Sequence, residues 1–480
     1  MMTGRKDRKG LLMNSNSLLF TFHFSLFTLN SLLFKMMNSS WTRFLPGFIL
    51  KRIEDRHELL EVLDNSGWML GDKIISQTVG LFVGLWLARY LGPQLFGDFS
   101  YAMALVLIFT PFATLALDDI AIRRMVQEPS CRDEALGTSF ILMLAGGVFA
   151  FGLAMTAIFW ARPDDRLMHW FVAILATGTV IQAFIAIEFW FESQLQWKFS
   201  AFAKTSAFLL LSFVKIGLIL QGAPLIAFAW AILAETILGS IGLLIVYRLR
   251  GHSIQAWRFS QNMAKSLLRD SWPLICSTLL TLIYLRIDQV MIGNMIGSEK
   301  LGNYSVAVRI SEVWYFIPLV ICSSVFPAVV RAEAVSEDLY YAHLQRLYCL
   351  MAFLSYAVAL PFSFFSNKII QLLFSSAYTE AGPLLAILVW TGLFTSLGAA
   401  RNVFIISKNR TRINLLSIGL GCLLNILLNL LLIPQYGAMG AVIATFISYW
   451  FTVHGSCFLF PSLRKTGWMI TKAIFYPKVW

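Results

Sequence analysis

The stretch "RYLGPQLFGDFSYA" occupies residues 89–102, between two long apolar runs, and it returns as "NMIGSEKLGNYSVA" at residues 294–307. At a constant offset of 205 residues Gly92 matches Gly297, Gly97 matches Gly302, Phe99 matches Tyr304, Ser100 matches Ser305 and Ala102 matches Ala307. The matched positions share a physical role. Gly92 and Gly297 fall where a helix ends, a place that favours a left-handed backbone and therefore glycine, and Pro93 blocks continuation in the first copy. Asp98 and Asn303 are expected to cap the next helix by accepting from its free amides. Each copy reads as a turn between two helices.

The surrounding chain explains what these turns join. Of 480 residues, 58% are hydrophobic and 13% charged, about half the charged fraction usual for a soluble domain. Twelve apolar spans are legible, at 68–90, 99–117, 136–161, 167–187, 205–221, 225–247, 272–296, 303–330, 347–366, 382–407, 412–434 and 437–460. Each is long enough to cross a hydrocarbon core about 30 Å thick as a helix. The fold class is therefore an all-α polytopic membrane protein. Its loops are too short to hold a soluble catalytic domain.

The loops also carry an orientation. Those at 118–135, 188–204, 248–271, 331–346 and 408–411, with Arg412 and the tail from residue 461, hold 19 Lys and Arg, against 4 in the alternate set. The positive-inside rule then predicts that both termini are cytoplasmic. Net charge +12 reflects this asymmetry, and nucleic acid is not expected as a partner. Six cysteines are scattered without a C-x-x-C pair and read as small buried hydrophobes.

Residues 1–36, basic and then apolar but broken by Ser, Thr, Asn and His, read as a non-native or disordered extension, with translation expected to begin at Met36 or Met37. A secretory signal is the alternative, but no A-x-A cleavage pattern follows. Residues 37–67 read as an interfacial amphipathic segment. His57-Glu58 is followed at position 61 by Glu rather than His, so a zinc-protease motif is excluded. No Walker A loop, nucleophile elbow or zinc-spaced set occurs, and neither enzymatic chemistry nor a bound cofactor is expected.

Six spans separate the two turns. An even number places both on one side of the membrane, and two parallel six-helix halves follow, at 68–247 and 272–460, joined by a basic linker at 248–271 and followed by a cytoplasmic tail at 461–480. Two bundles related by an axis along the membrane normal are a transporter architecture, with a cavity between them; a receptor or scaffold is the alternative.

Ionisable groups inside spans are costly, on the order of 2.5–3.5 kcal/mol each at a helix centre. Lys215, Glu235, Arg286, Asp288, Arg309, Glu312 and Arg401 are the candidates, with Arg89 nearer a span end. Ser277, Thr281, Tyr284 and Asp288 form one helical stripe, as do Ser305, Arg309 and Glu312. Counted from the shared turn, Asp288 and Arg309 differ in depth by only about 3 Å, which predicts a pair between them, while Arg286 points about 160° away from Asp288. The positions equivalent to Asp288, Arg309 and Glu312 are Val83, Ala104 and Leu107. A duplicated scaffold with unduplicated charge suits an asymmetric, anionic substrate; structural pairs that staple the bundle are the other reading.

Residues 86–105, 285–330 ("LRIDQVMIGNMIGSEKLGNYSVAVRISEVWYFIPLVICSSVFPAVV") and 430–450 ("LLLIPQYGAMGAVIATFISYW") resemble the polysaccharide, O-antigen-type flippases of the multidrug/oligosaccharidyl-lipid/polysaccharide exporter superfamily. The resemblance runs from about Asn65 to Phe460. It implies movement of an undecaprenyl diphosphate-linked oligosaccharide across the bacterial cytoplasmic (inner) membrane, by alternating access through a cation-lined cavity, coupled to a proton or sodium gradient. Polysaccharide polymerase or assembly proteins are the implied partners besides the bilayer. A cation-coupled drug exporter of the same superfamily, or a polytopic polymerase or ligase, is the alternative.

Overall fold

The computed structural model describes the backbone of residues 57–477 and side chains from Asp64 onward. The 1–36 extension and most of the 37–67 segment lie outside the described residues. Among the described residues the chain is helical throughout, with no strand. Eleven helical stretches are long and apolar enough to cross a membrane, and the first, Asp64–Gln127, contains two of the expected spans.

That first helix, α1 (His57–Thr114), is bent at Gly92, with φ 69° and ψ 174°. There follow α2 (Asp118–Gln127), α3 (Arg132–Ala161), α4 (Arg166–Ile181), α5 (Ala186–Ser193), α6 (Trp197–Leu220) and α7 (Leu225–Leu249). The second half has α8 (Gln261–Met295), α9 (Ser298–Glu312), α10 (Phe316–Val335), α11 (Glu337–Leu373), α12 (Ala381–Leu388), α13 (Thr391–Ser407), α14 (Thr411–Tyr436), α15 (Ala438–Trp450) and, after a π-helical turn at Phe451–Gly455, α16 (Arg464–Phe475).

Both turns use glycine as expected but are tighter than expected. Gly297 has φ 95° and ψ 169°, close to the values at Gly92, a mirror-extended conformation open in practice to glycine alone. The next helix starts at once, with Ser298 as the first residue of α9 and Pro93, which needs no amide partner there, at the equivalent place. Asp98 and Asn303 therefore lie inside helices and cap nothing. Asp98 Oδ1 instead accepts from Ser298 Oγ and, at 3.3 Å, from Arg162 Nη1, whose other nitrogen bonds the Gly293 carbonyl at 3.0 Å. Arg162 also lies 4.1 Å from the centre of the Tyr101 ring.

The two turns meet each other. A Cβ on Gly97 would lie 1.8 Å from the Ser298 carbonyl oxygen, and one on Gly302 would lie 2.0 Å from that of Pro93. These are the same contact seen from each half, because Pro93 and Ser298 are equivalent at the 205-residue offset. Helix association in lipid depends on close packing, which small residues permit. The matched glycines thus serve a helix crossing as well as the turns.

Around this crossing lies one apolar core shared by both halves, including Phe96, Tyr101, Phe171, Phe228, Leu301, Tyr304 and Tyr378. Toward the end with the basic loops the core divides. The first half closes on Leu117, Phe191, Phe199 and Tyr247, the second on Tyr340, Tyr348, Leu397 and Ile405. Helix α8 spans the division: Met263 and Leu267 belong to the first half's core, Tyr284 to the second's, Val290 and Ile292 to the shared one. The 248–271 stretch is accordingly not all linker, since α8 begins at Gln261. The expected tail at 461–480 is likewise docked: α16 lies along α11, with Gln345 donating to the Met469 carbonyl and Tyr356 to that of Ile474.

Candidate functional site

The intramembrane charges separate into five environments, with Arg89 apart from them at a span end. Asp288 on α8 is 2% exposed. Its carboxylate accepts from Asn429 Nδ2 at 2.6 Å, from Tyr304 Oη at 2.9 Å and from Thr445 Oγ1. Asn429 Nδ2 also donates to Asn425 Oδ1 at 3.1 Å, and Asn425 Nδ2 to Ser448 Oγ at 3.3 Å. Three donors on one carboxylate offset the cost of burying it. All of these side chains come from α8, α9, α14 and α15, so the cluster belongs to the second half alone.

The predicted Asp288 to Arg309 pair does not form. Depth along a helix does not fix direction around it: Tyr304 and Arg309, five residues apart on α9, point about 140° apart. Tyr304 turns to Asp288, and Arg309 turns toward α1 of the other half. There Arg309 Nη2 bonds the Gly80 carbonyl at 2.8 Å. Its guanidinium covers Gly84 so closely that a Cβ there would lie 1.9 Å from Nη2. Among the described residues no carboxylate pairs with Arg309, which sits at the edge of the shared core beside Val308 and Ile310.

Arg286, directed away from Asp288 as expected, pairs with Glu312 through two contacts of 3.1 and 3.4 Å. The side chains remain 23% and 28% exposed. Glu312 is the last residue of α9, and the expected span 303–330 is interrupted after it, with α10 beginning at Phe316. A carboxylate at a helix C-terminus faces the negative end of the dipole, and Arg286 offsets that. The span 382–407 is broken as well, between Leu388 and Thr391. The two breaks touch: Tyr315 Oη and Thr391 Oγ1 are 2.8 Å apart, and Trp314 packs on Gly392. Discontinuous helices at membrane depth are tolerated only where protein or an aqueous cavity surrounds them.

In the first half Lys215 on α6 and Glu235 on α7 pair at 2.6 Å, both half-buried. Arg401, by contrast, is 3% exposed within the second half's core. One of its nitrogens bonds the carbonyls of Thr452 and Val453 at 2.7 and 3.1 Å, the other Asn414 Oδ1 at 2.9 Å. Those partners leave Arg401 as a brace of its own half, away from the space between the halves. Arg89 reaches the Leu372 carbonyl across the halves at the turn end.

Several polar residues escaped the sequence reading. Asn425 and Asn429 are four apart in an apolar span, hence on one face, and that spacing was the available signal. Glu188, 4% exposed and paired with Lys204 at 2.9 Å, fell in a stretch expected to be loop but built as α5. Arg162 was counted among loop charges, and nothing in its neighbourhood marks a contact with residues 131 and 136 positions away.

The arrangement can do two things chemically. A buried carboxylate held by an amide N–H and two hydroxyls can take up and release a proton, and partly buried guanidinium and ammonium groups can receive an anion.

Comparison with known proteins agrees with this architecture. A family model described as polysaccharide biosynthesis protein matches residues 62–333, and the MatE model matches residues 273–431. The probable low-salt glycan biosynthesis flippase Agl15 of Haloferax volcanii is 23% identical over 375 residues, 77% of each chain. The probable flippase AglR of the same organism is 22% identical over 395 residues, 80% of each. Among solved structures, an inward-facing multidrug resistance MATE family transporter of the MOP superfamily superposes with TM-score 0.67 at 15% identity, covering 81% of this chain and 96% of that one. The lipid II flippase MurJ, in an inward closed conformation, gives 0.66 at 16% identity, over 85% and 89%. The first of the two family models spans more than half of the sequence, and the chain belongs to the polysaccharide biosynthesis protein family.

Proposed function

We propose that this protein is a flippase for lipid-linked oligosaccharides. Its substrate is an undecaprenyl diphosphate-linked repeat unit, carried from the cytoplasmic to the outer leaflet of a bacterial inner membrane for O-antigen or exopolysaccharide assembly. The observation that carries the reading is Arg309, a half-buried guanidinium at the junction of the halves with no carboxylate partner among the described residues. A membrane-embedded cation outside any ion pair is expensive, and a diphosphate is a fitting partner for it. Arg286 and Lys215, each held by a half-exposed carboxylate, add cations that a substrate can recruit. In this reading both termini and the divided end of the bundle face the cytoplasm, which the excess of Lys and Arg in the loops at that end supports. Coupling to a proton or sodium gradient is part of the reading, with Asp288, Asn425, Asn429 and Thr445 as the ion's contacts. Polymerase and other assembly proteins are the expected neighbours.

The test is a gene deletion complemented by point variants. Loss of the gene is expected to leave lipid-linked repeat units facing the cytoplasm, and Arg286→Ala or Arg309→Ala to fail to restore transport while accumulating as folded protein. Full transport by both variants refutes the role of the cavity cations. The match to the MatE model over part of the second half favours one other reading, a cation-coupled drug exporter; retained surface polysaccharide with a fall in drug resistance would establish it.

A further inference from the structure

Gly80 and Gly84 stand one helical turn apart on α1, in the run "VGLFVG" at residues 79–84, and so form a shallow notch on one face. The Arg309 guanidinium, reaching across from the opposite half, lies against Gly84 and bonds the Gly80 carbonyl, while the Cβ position of Gly80 itself faces Phe208. A backbone carbonyl has two acceptor sites; that of Gly80 serves its own helix and Arg309 as well. Of the five N–H groups of the guanidinium, the bond to Gly80 uses one. The remaining edge of the fork is free of protein acceptors among the described residues.

We infer that Gly84, with the Gly80 carbonyl, is a positioning element for substrate: a seat that fixes the plane of the Arg309 guanidinium so that its free edge meets the diphosphate. The inference rests on the proposal that Arg309 binds the anionic group, and it adds that α1 determines how well. A flexible arginine loses side-chain entropy on binding, and seating it beforehand removes part of that cost. Gly84 is the residue that keeps the seat open. Even alanine there places a carbon within 1.9–2.4 Å of three guanidinium atoms. The obstacle meets the far end of a long side chain, so Arg309 moves and the fold does not. The seat is built from both halves, so the site it completes exists only while α1 and α9 are in contact.

The experiment measures binding of undecaprenyl diphosphate to the full-length protein in nanodiscs, by native mass spectrometry, alongside thermal melting. Gly84→Ala is expected to weaken binding about tenfold, equivalent to about 1.4 kcal/mol, with the melting temperature unchanged. Arg309→Ala is expected to lose more, and the double variant no more than Arg309→Ala alone, because the two residues act through one guanidinium. Gly152→Ala, where an added Cβ would meet nothing within 4 Å, is expected to bind like the parent. Unchanged binding in Gly84→Ala beside a loss in Arg309→Ala overturns the seat and leaves the proposed function standing. Unchanged binding in Arg309→Ala overturns the proposed role of Arg309, and the seat with it. If Gly84→Ala does not accumulate, Arg309→Lys decides: an ammonium cannot bond Gly80 and present a planar fork, so a loss supports the seat and full binding overturns it.

Discussion

The two ends of the bundle are built on opposite plans. At the turn end the halves share one core, and their backbones cross at Gly97 and Gly302 so closely that no side chain fits between them. At the basic end each half has its own core, and among the described helices α8 alone contributes to both. The difference shows where the internal symmetry of the sequence is used. Repeated residues make the contact that the halves must make with each other, whereas the unrepeated ones, Asp288, Arg309 and Glu312, make contacts that one half makes for its own purposes or extends toward the other.

That contrast can be broken most severely at the crossing. Gly302→Val places a branched side chain against the Pro93 backbone, 2.0 Å from where its Cβ would sit, and neither chain can give way locally. Loss of the folded species on size exclusion is expected, whereas Gly239→Ala, facing open space in the first half, is expected to leave it intact. The next largest effect is Asp288→Ala. It removes the acceptor of Tyr304 and one of the acceptors of Asn429, while Asn429 keeps Asn425 Oδ1 and Thr445 keeps the Ala441 carbonyl; at about 1–3 kcal/mol for a donor left unsatisfied, a lower melting temperature with retained helicity is the expected result. A milder change sharpens the comparison: Arg162→Ala removes bonds to Asp98, Gly293 and Ser298 without altering the crossing at Gly97 and Gly302. A cysteine at position 301, buried in the parent, is expected to be modified about tenfold faster in that background, the ratio a loss of about 1.4 kcal/mol gives. The smallest effect belongs to the basic end. Arg123→Ala deletes a 3.7 Å pair with Asp270 whose members are 61% and 47% exposed, and melting is expected to be unchanged because such surface pairs contribute little.

Much of this was written in the sequence, and the reason is that bilayers constrain locally. Hydropathy located several spans to within about two residues, as with 225–247 against Leu225–Leu249 and 412–434 against Thr411–Tyr436, but it missed the polar first turns of α8 and α11, which begin at Gln261 and Glu337. The glycines of the repeat were legible because a backbone conformation open only to glycine leaves its mark at a single position. What was not legible depended on direction around a helix. Asp98 looked like a cap because its true partners, Arg162 and Ser298, are distant in the chain. The depth argument that joined Asp288 to Arg309 was silent about azimuth, and azimuth gave the two residues different partners. Arg401 shows the same limit from another side: a charge inside a span marks an expense, and only the surrounding carbonyls reveal that the expense is met at home.

Those carbonyls belong to a π-helical turn, residues 451–455, which holds one residue more than its helix needs. Such a surplus residue is free to migrate along a helix unless something pins it, and each step turns the residues it passes by about 100°. Thr445, one of the three donors to Asp288, lies six positions upstream of that turn. By bonding the Thr452 and Val453 carbonyls, Arg401 ties α13 to the one irregular turn of the helix that carries Thr445.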